Sequence, residues 1–150
     1  MTAEHNNNVT ILIAEDDEGH AELILEQLRS AGVSNEIIRF RDGQELWNYL
    51  MAEGRRTSRH DSHGFLLLLD LVMPRLDGLE VLRQIRLDPR TCRLPVVILT
   101  TSKEEQDVAQ SYDLGANSYI RKPVDFHQFT EAVRNLGLYW LLLNEPPPMM

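Results

Sequence analysis

An α/β sandwich around a parallel sheet is predicted for this chain by three observations. Apolar runs of strand length alternate with stretches of helical spacing five times along the sequence. The run Phe65-Leu66-Leu67-Leu68-Leu69 has no polar interruption, as expected of a strand buried on both faces, and it ends at Asp70. Other runs also end in polar residues: Val9-Thr10-Ile11-Leu12-Ile13-Ala14 leads into Glu15-Asp16-Asp17, Pro95-Val96-Val97-Ile98-Leu99 into Thr100-Thr101-Ser102, and Ser118-Tyr119-Ile120-Arg121 into Lys122-Pro123.

Residues 1–8 are polar and are expected to be disordered, so the first strand begins at Val9. The first helix is expected from Gly19 to Ala31, because Ala21, Ile24, Leu25 and Leu28 recur at helical spacing; Gly32 ends it. Asn35 to Phe40 reads as a short second strand. Asp42 then serves as N-cap for a helix carrying Leu46, Trp47, Tyr49 and Leu50. Residues 54–64 are polar and read as a solvated irregular loop. His60 and His63 in it have no thiol or third ligand beside them, so a metal site is the weaker reading, as is an anion patch at Arg55, Arg56 and Arg59.

After the Asp70 strand, Asp77-Gly78 opens a third helix with Leu79, Val81, Leu82 and Ile85, and Asp88-Pro89 stops it. A fourth helix is expected from Lys103 to Leu114, closed by Gly115 as a left-handed C-cap. The fifth starts after Lys122-Pro123, with Asp125 as N-cap and Phe126, Phe129, Val133 and Leu136 on its core face.

Five strands of this kind, with the first, third and fourth central, predict a flavodoxin-like (βα)5 three-layer sandwich with strand order 2-1-3-4-5 and right-handed crossovers. Ligands gather in such sheets at the carboxyl ends of the strands, where the order reverses, here between the first and third strands. Glu15, Asp16 and Asp70 would converge in that crevice, with a hydroxyl and an ammonium nearby. The mixture suits phosphoryl chemistry on an aspartate.

A length of 150 residues suits one domain, expected over 9–137, and leaves little room for a second, so any output module is expected on another chain. With 15 basic against 23 acidic side chains the net charge is −8, which argues against nucleic acid or an anionic membrane surface as a partner. Proteins and a divalent cation are the expected partners. Cys92 is the single cysteine, so no internal disulfide can form, and it reads as a small half-buried residue before the fourth strand. No signal-peptide pattern or membrane-length apolar run occurs, and a cytoplasmic location is expected.

Glu15-Asp16, Asp70 with Met73-Pro74 and Asp77-Gly78, Thr100, Tyr119 and Lys122-Pro123 together resemble the receiver domain of two-component response regulators, from Val9 to Gly137. Singly, Lys122 reads as a surface lysine, Tyr119 as a half-buried strand aromatic and Thr100 as a strand-end residue of high β propensity. Their order and spacing around Asp70 carry the resemblance. It implies that Asp70 accepts a phosphoryl group from a phosphohistidine on a kinase or phosphotransfer partner. It implies Mg2+ as cofactor, held by Asp16, Asp70 and the backbone carbonyl of Val72, with Glu15 acting mainly through water. A carboxylate among other acids is a poor nucleophile toward an anionic phosphoryl group, so such a cation is chemically required. By the same resemblance Lys122 supplies a positive charge to Asp70 and then to a phosphoryl oxygen, helped by a plausible cis bond at Pro123. Thr100 donates its hydroxyl to the phosphoryl group and Tyr119 turns inward as the switch. Asp17 is expected outside the metal shell, capping the first helix or exposed.

Val72, two positions after Asp70, and Ser102, two after Thr100, occupy places that in the family influence the hydrolytic water. Val72 offers that water no polar side chain, and slow self-dephosphorylation is expected. Leu138-Tyr139-Trp140-Leu141-Leu142-Leu143 is apolar all round before Asn144-Glu145-Pro146-Pro147-Pro148, so the 138–150 extension is expected to be covered by self-association into a homodimer. This ending, with residues 111–117 and 122–126, resembles the small single-domain regulators that accompany phytochrome-type histidine kinases. That resemblance implies that a bilin-bearing kinase sets the phosphorylation of Asp70.

Three other readings compete. A haloacid-dehalogenase-type phosphatase also uses an aspartate and magnesium, but needs a second Asp where Val72 stands, and the chain is short for that fold with its cap. A phosphorylation-independent interaction module has no chemical reason to keep Glu15, Asp16, Asp70, Thr100 and Lys122 together. A flavin binder of the same architecture wants a phosphate-cradling loop where Glu15-Asp16-Asp17 would repel phosphate.

Overall fold

The computed structural model describes residues 9–60, 64–71, 73, 78–100, 115–116, 118–121 and 126–135. Strands and helices alternate along them: β1 (Val9–Ala14), α1 (Glu18–Ser30), β2 (Ile37–Phe40), α2 (Gly43–His60), β3 (Gly64–Asp70), α3 (Gly78–Leu87), β4 (Val96–Thr100), β5 (Ser118–Arg121) and α4 (Phe126–Asn135). α4 is the fifth helix expected from the sequence. The fourth, over 103–114, lies outside the described residues, as do 1–8 and 136–150.

All neighbouring strands pair in parallel, in the order β2-β1-β3-β4-β5. Alternation of side chains across the sheet divides the core into two layers. On one face Ile11, Ile13, Leu66, Leu68, Val97 and Leu99 pack with Ile24 and Leu28 of α1 and Phe129 and Ala132 of α4. On the other, Leu12, Leu67, Leu69, Val96 and Ile98 pack with Leu46 and Leu50 of α2 and Val81, Leu82 and Ile85 of α3. The uninterrupted apolar run of β3 follows from this: Leu66 to Leu69 have 0% exposure although they point alternately to both layers. Each fully buried leucine contributes about 1.5–3 kcal/mol.

The expected helix signals act where they were read. Asp17 is the N-cap of α1, its Oδ1 accepting the His20 backbone N–H at 2.8 Å, and Gly32 adopts φ 96° just past the helix end. Asp42 caps α2 by accepting the Glu45 N–H at 2.9 Å, while Glu45 accepts the Arg41 N–H at 2.9 Å in a capping-box manner. Gly115 has the expected left-handed backbone, φ 102°; the helix it was expected to close lies outside the described residues. Cys92 is half-buried, as read.

Two boundaries differ by more than one residue, while α1, β3 and β4 begin within one residue of where they were expected, Gly64 of the expected loop opening β3. The segment 54–60, read as loop, continues α2 to His60. A single Gly54 costs a helix only about 1 kcal/mol, and the arginines that follow are good helix formers, so the polar composition was a poor guide. β2 starts at Ile37 rather than Asn35. Asn35 instead turns fully inward and donates from Nδ2 to the Val9 carbonyl at 2.8 Å, stitching the start of β1 to the approach to β2.

Among the described residues no helix is long and apolar enough to cross a membrane.

Candidate functional site

β3 lies between β1 and β4, so its last residue is flanked by the carboxyl ends of both. Asp70 pairs in register with Leu99, and the next residue, Leu71, donates its N–H to the Leu99 carbonyl at 3.3 Å. Asp70 is therefore held by sheet bonding and is only 5% exposed. β1 ends one residue before Glu15, which is 1% exposed, whereas Asp16 is exposed. Glu15, Asp16 and Asp70 offer carboxylate oxygens that all lie within 4.8 Å of one another. Among the described residues this is the one such group of three.

Local chemistry keeps the loop after β1 in this shape. The Glu15 N–H prolongs the pairing with β2 by donating to the Phe40 carbonyl at 3.0 Å. The Glu15 carboxylate accepts the Asp17 N–H at 3.1 Å, and its Oε2 lies 3.9 Å from His20 Nδ1. Asp17 caps α1 and is not one of the three acids that come together. From β2, Arg39 donates to the Glu15 carbonyl through Nε at 3.0 Å and Nη2 at 2.9 Å, and to the Asp16 carbonyl through Nη2 at 3.2 Å.

Gly78, the first residue of α3, donates its N–H to the Leu71 carbonyl at 3.0 Å, and a Cβ there would overlap the Asp70 carbonyl oxygen. Sequence reading placed Gly78 in a motif and passed over Arg39. The only signal for Arg39 is its register opposite Ile13, two residues before Glu15.

Like charges this close repel by about 4 kcal/mol per pair at the effective dielectric of a protein surface. A bound divalent cation removes that repulsion. The donors are hard oxygens throughout, with no thiolate or imidazole among the three, which fits Mg2+, Mn2+ or Ca2+ rather than a soft transition metal.

Thr100 is the last residue of β4, paired with Arg121, and Tyr119 in β5 pairs with Ile98. Arg121, paired with Thr100, ends β5 on the same strand-end side of the sheet as Asp70. Lys122, Pro123, Val72, Ser102, Asp125 and His63 lie outside the described residues. A cavity of about 350 Å³ lined by Val9, Leu50, Phe65, Leu94 and Pro95 opens at the opposite, amino-terminal end of the strands, away from the acids.

Residues 11–134 match the family model of the response regulator receiver domain. Response regulator Rcp1 of Synechocystis sp. is 36% identical over 141 residues, spanning 94% of this chain and 95% of that protein. The crystal structure of its Mn(2+)-bound form superposes with a TM-score of 0.63, at 34% identity over 93% of this chain and 99% of that one. The bacteriophytochrome response regulator AtBRR is 43% identical, covering 91% of this chain and 97% of its own, with a TM-score of 0.75. The phosphorylated cyanobacterial phytochrome response regulator RcpA is 37% identical over 93% and 98% of the two chains, with a TM-score of 0.65.

Proposed function

The chain belongs to the response regulator receiver domain family, and on that premise we propose that Asp70 is its phosphoacceptor, charged by a histidine kinase of the phytochrome type in a Mg2+-dependent reaction. Membership makes it a phosphoacceptor signalling protein rather than an enzyme. The observation that carries the proposal is the convergence of Glu15, Asp16 and Asp70 within 4.8 Å at the point where the strand order reverses.

In the reaction an Asp70 carboxylate oxygen attacks phosphorus in line with the bond to the donor histidine nitrogen. The new O–P bond forms as the P–N bond breaks, and the imidazole leaves with its electron pair. Asp16, Asp70 and the backbone carbonyl of Val72 would hold the cation directly, with Glu15 acting mainly through water. When bound, such a cation would supply charge neutralisation and alignment for the incoming phosphoryl group. Lys122 pairs with Asp70 and then with a phosphoryl oxygen. Thr100 donates its hydroxyl to another, and Tyr119 turns inward behind it, so phosphorylation shifts the population of a distant surface.

The phytochrome-type kinase is supported by the names of the relatives, three of which are phytochrome or bacteriophytochrome regulators. A homodimer through residues 138–143 is supported by a stretch with no polar face, which needs cover in water.

Phosphotransfer from acetyl phosphate or a donor kinase tests the assignment. Wild-type protein is expected to take up label with Mg2+ and to lose it in excess chelator, and Asp70→Asn to take up none. Undiminished labelling of Asp70→Asn would overturn the proposal.

A further inference from the structure

We propose that Arg39 is a positioning residue for the divalent-cation site, fixing the backbone of Glu15 and Asp16 so that their carboxylates are set before the ion arrives; this rests on the metal-dependent reading of Asp70 given above. The guanidinium places two N–H groups on the Glu15 carbonyl, at 3.0 and 2.9 Å, and shares one of them with the Asp16 carbonyl at 3.2 Å. These bonds go to main-chain oxygens of the two consecutive residues that supply two of the three acids. With the Glu15 N–H on Phe40 and the Asp17 N–H on the Glu15 carboxylate, both sides of the Glu15 peptide are held from β2 and from within the loop.

Two effects of Arg39 oppose each other. Its positive charge repels a divalent cation, so charge alone would make removal of Arg39 tighten binding. Its fork orders a loop whose acids repel one another without the ion, so loss of the fork would leave that ordering to be met by the binding energy. Partners that orient ligands from behind typically change metal affinity roughly 10- to 100-fold, and Arg39 sits against the carbonyls where its charge is partly absorbed by their dipoles, so the ordering effect dominates. Lysine cannot reproduce the planar two-pronged contact while keeping the charge. The two effects are therefore separable.

The experiment is calorimetric titration of the full chain with Mg2+ and Mn2+, comparing wild type, Arg39→Lys and Arg39→Gln, with melting in chelator as a folding control. Positioning predicts that Arg39→Lys weakens both cations about tenfold and that Arg39→Gln also weakens them. It further predicts that phosphorylation by acetyl phosphate needs more cation for half-saturation while the rate at saturating cation stays within about twofold. A charge effect alone predicts wild-type affinity in Arg39→Lys and tighter binding in Arg39→Gln, and that result would overturn the assignment. Loss of the cooperative melt in both variants would also overturn it, making Arg39 a stability residue. If wild type itself binds neither cation, the metal-dependent reading fails first; if wild type binds and the Lys variant matches it, only the role of Arg39 fails.

Discussion

Gly78 and Asp70 are in backbone contact: a methyl group at position 78 would overlap the carbonyl oxygen of Asp70 and stand 2.7 Å from the Leu71 Cα. The first turn of α3 thus presses directly on the strand end that presents Asp70. Gly78→Ala has to push the helix or the strand end aside, and overpacking of this kind costs about 1–3 kcal/mol. Urea denaturation is expected to show that loss, and phosphoryl uptake from acetyl phosphate to fall with it, because Asp70 moves. A stable Gly78→Ala protein with full uptake would mean that no such contact exists in solution.

Arg86 holds three main-chain oxygens at the amino-terminal end of the sheet: Gly115 at 2.8 Å from Nε, and Cys92 at 3.1 Å and Leu94 at 2.6 Å from Nη1. Burial pulls its guanidinium below the ordinary arginine range, with Cys92 opposing that shift. Arg86→Met leaves the three carbonyls without this donor and is expected to lose about 2–3 kcal/mol. Arg86→Lys should recover only part, since one ammonium cannot reach all three. The midpoint of chemical denaturation reads both, at unchanged m-value.

Asp88 accepts the Arg90 side chain at 3.0 Å from Nε and 2.9 Å from Nη2, together with the Arg90 backbone N–H at 2.8 Å. The side-chain bond from Arg90, then its backbone N–H, hold the Asp88 carboxyl below the usual aspartate range. Because the folded value is the lower one, the stabilisation is complete above the unfolded-state value and disappears as pH falls through the folded one. A carbon-detected NMR titration should place the Asp88 midpoint below that of an unstructured aspartate, and Arg90→Ala should raise it part of the way, since the backbone N–H at position 90 remains. An unchanged midpoint in Arg90→Ala would remove Arg90 as the cause.

The aspartyl phosphate is expected to be long-lived, because Val72 gives the hydrolytic water no polar side chain two residues after Asp70. Following label after removal of the donor measures this directly. Decay within seconds would count against the role given to Val72.

How far the fold could be read before any coordinates follows from where each signal lives. An apolar run such as 65–69, of strand length and flanked by Gly64 and Asp70, reads as a doubly covered strand rather than a buried helix, and caps such as Asp17, Asp42 and Gly32 act through bonds spanning three or four residues. Strand ends in a parallel sheet all face one way, so Glu15, Asp16 and Asp70 could be brought together on paper. Chain-local information could not find Arg39 on the carbonyls of Glu15 and Asp16, nor the pressure of Gly78 on the Asp70 backbone, nor the inward turn of Asn35 onto Val9. Those contacts depend on the register of β2 against β1 and on the closeness of α3 to the end of β3, distances set only when separate elements pack. Composition misread 54–60 for the converse reason: polarity reports solvent exposure, while the continuation of α2 to His60 is decided by backbone propensity that polar and apolar residues share.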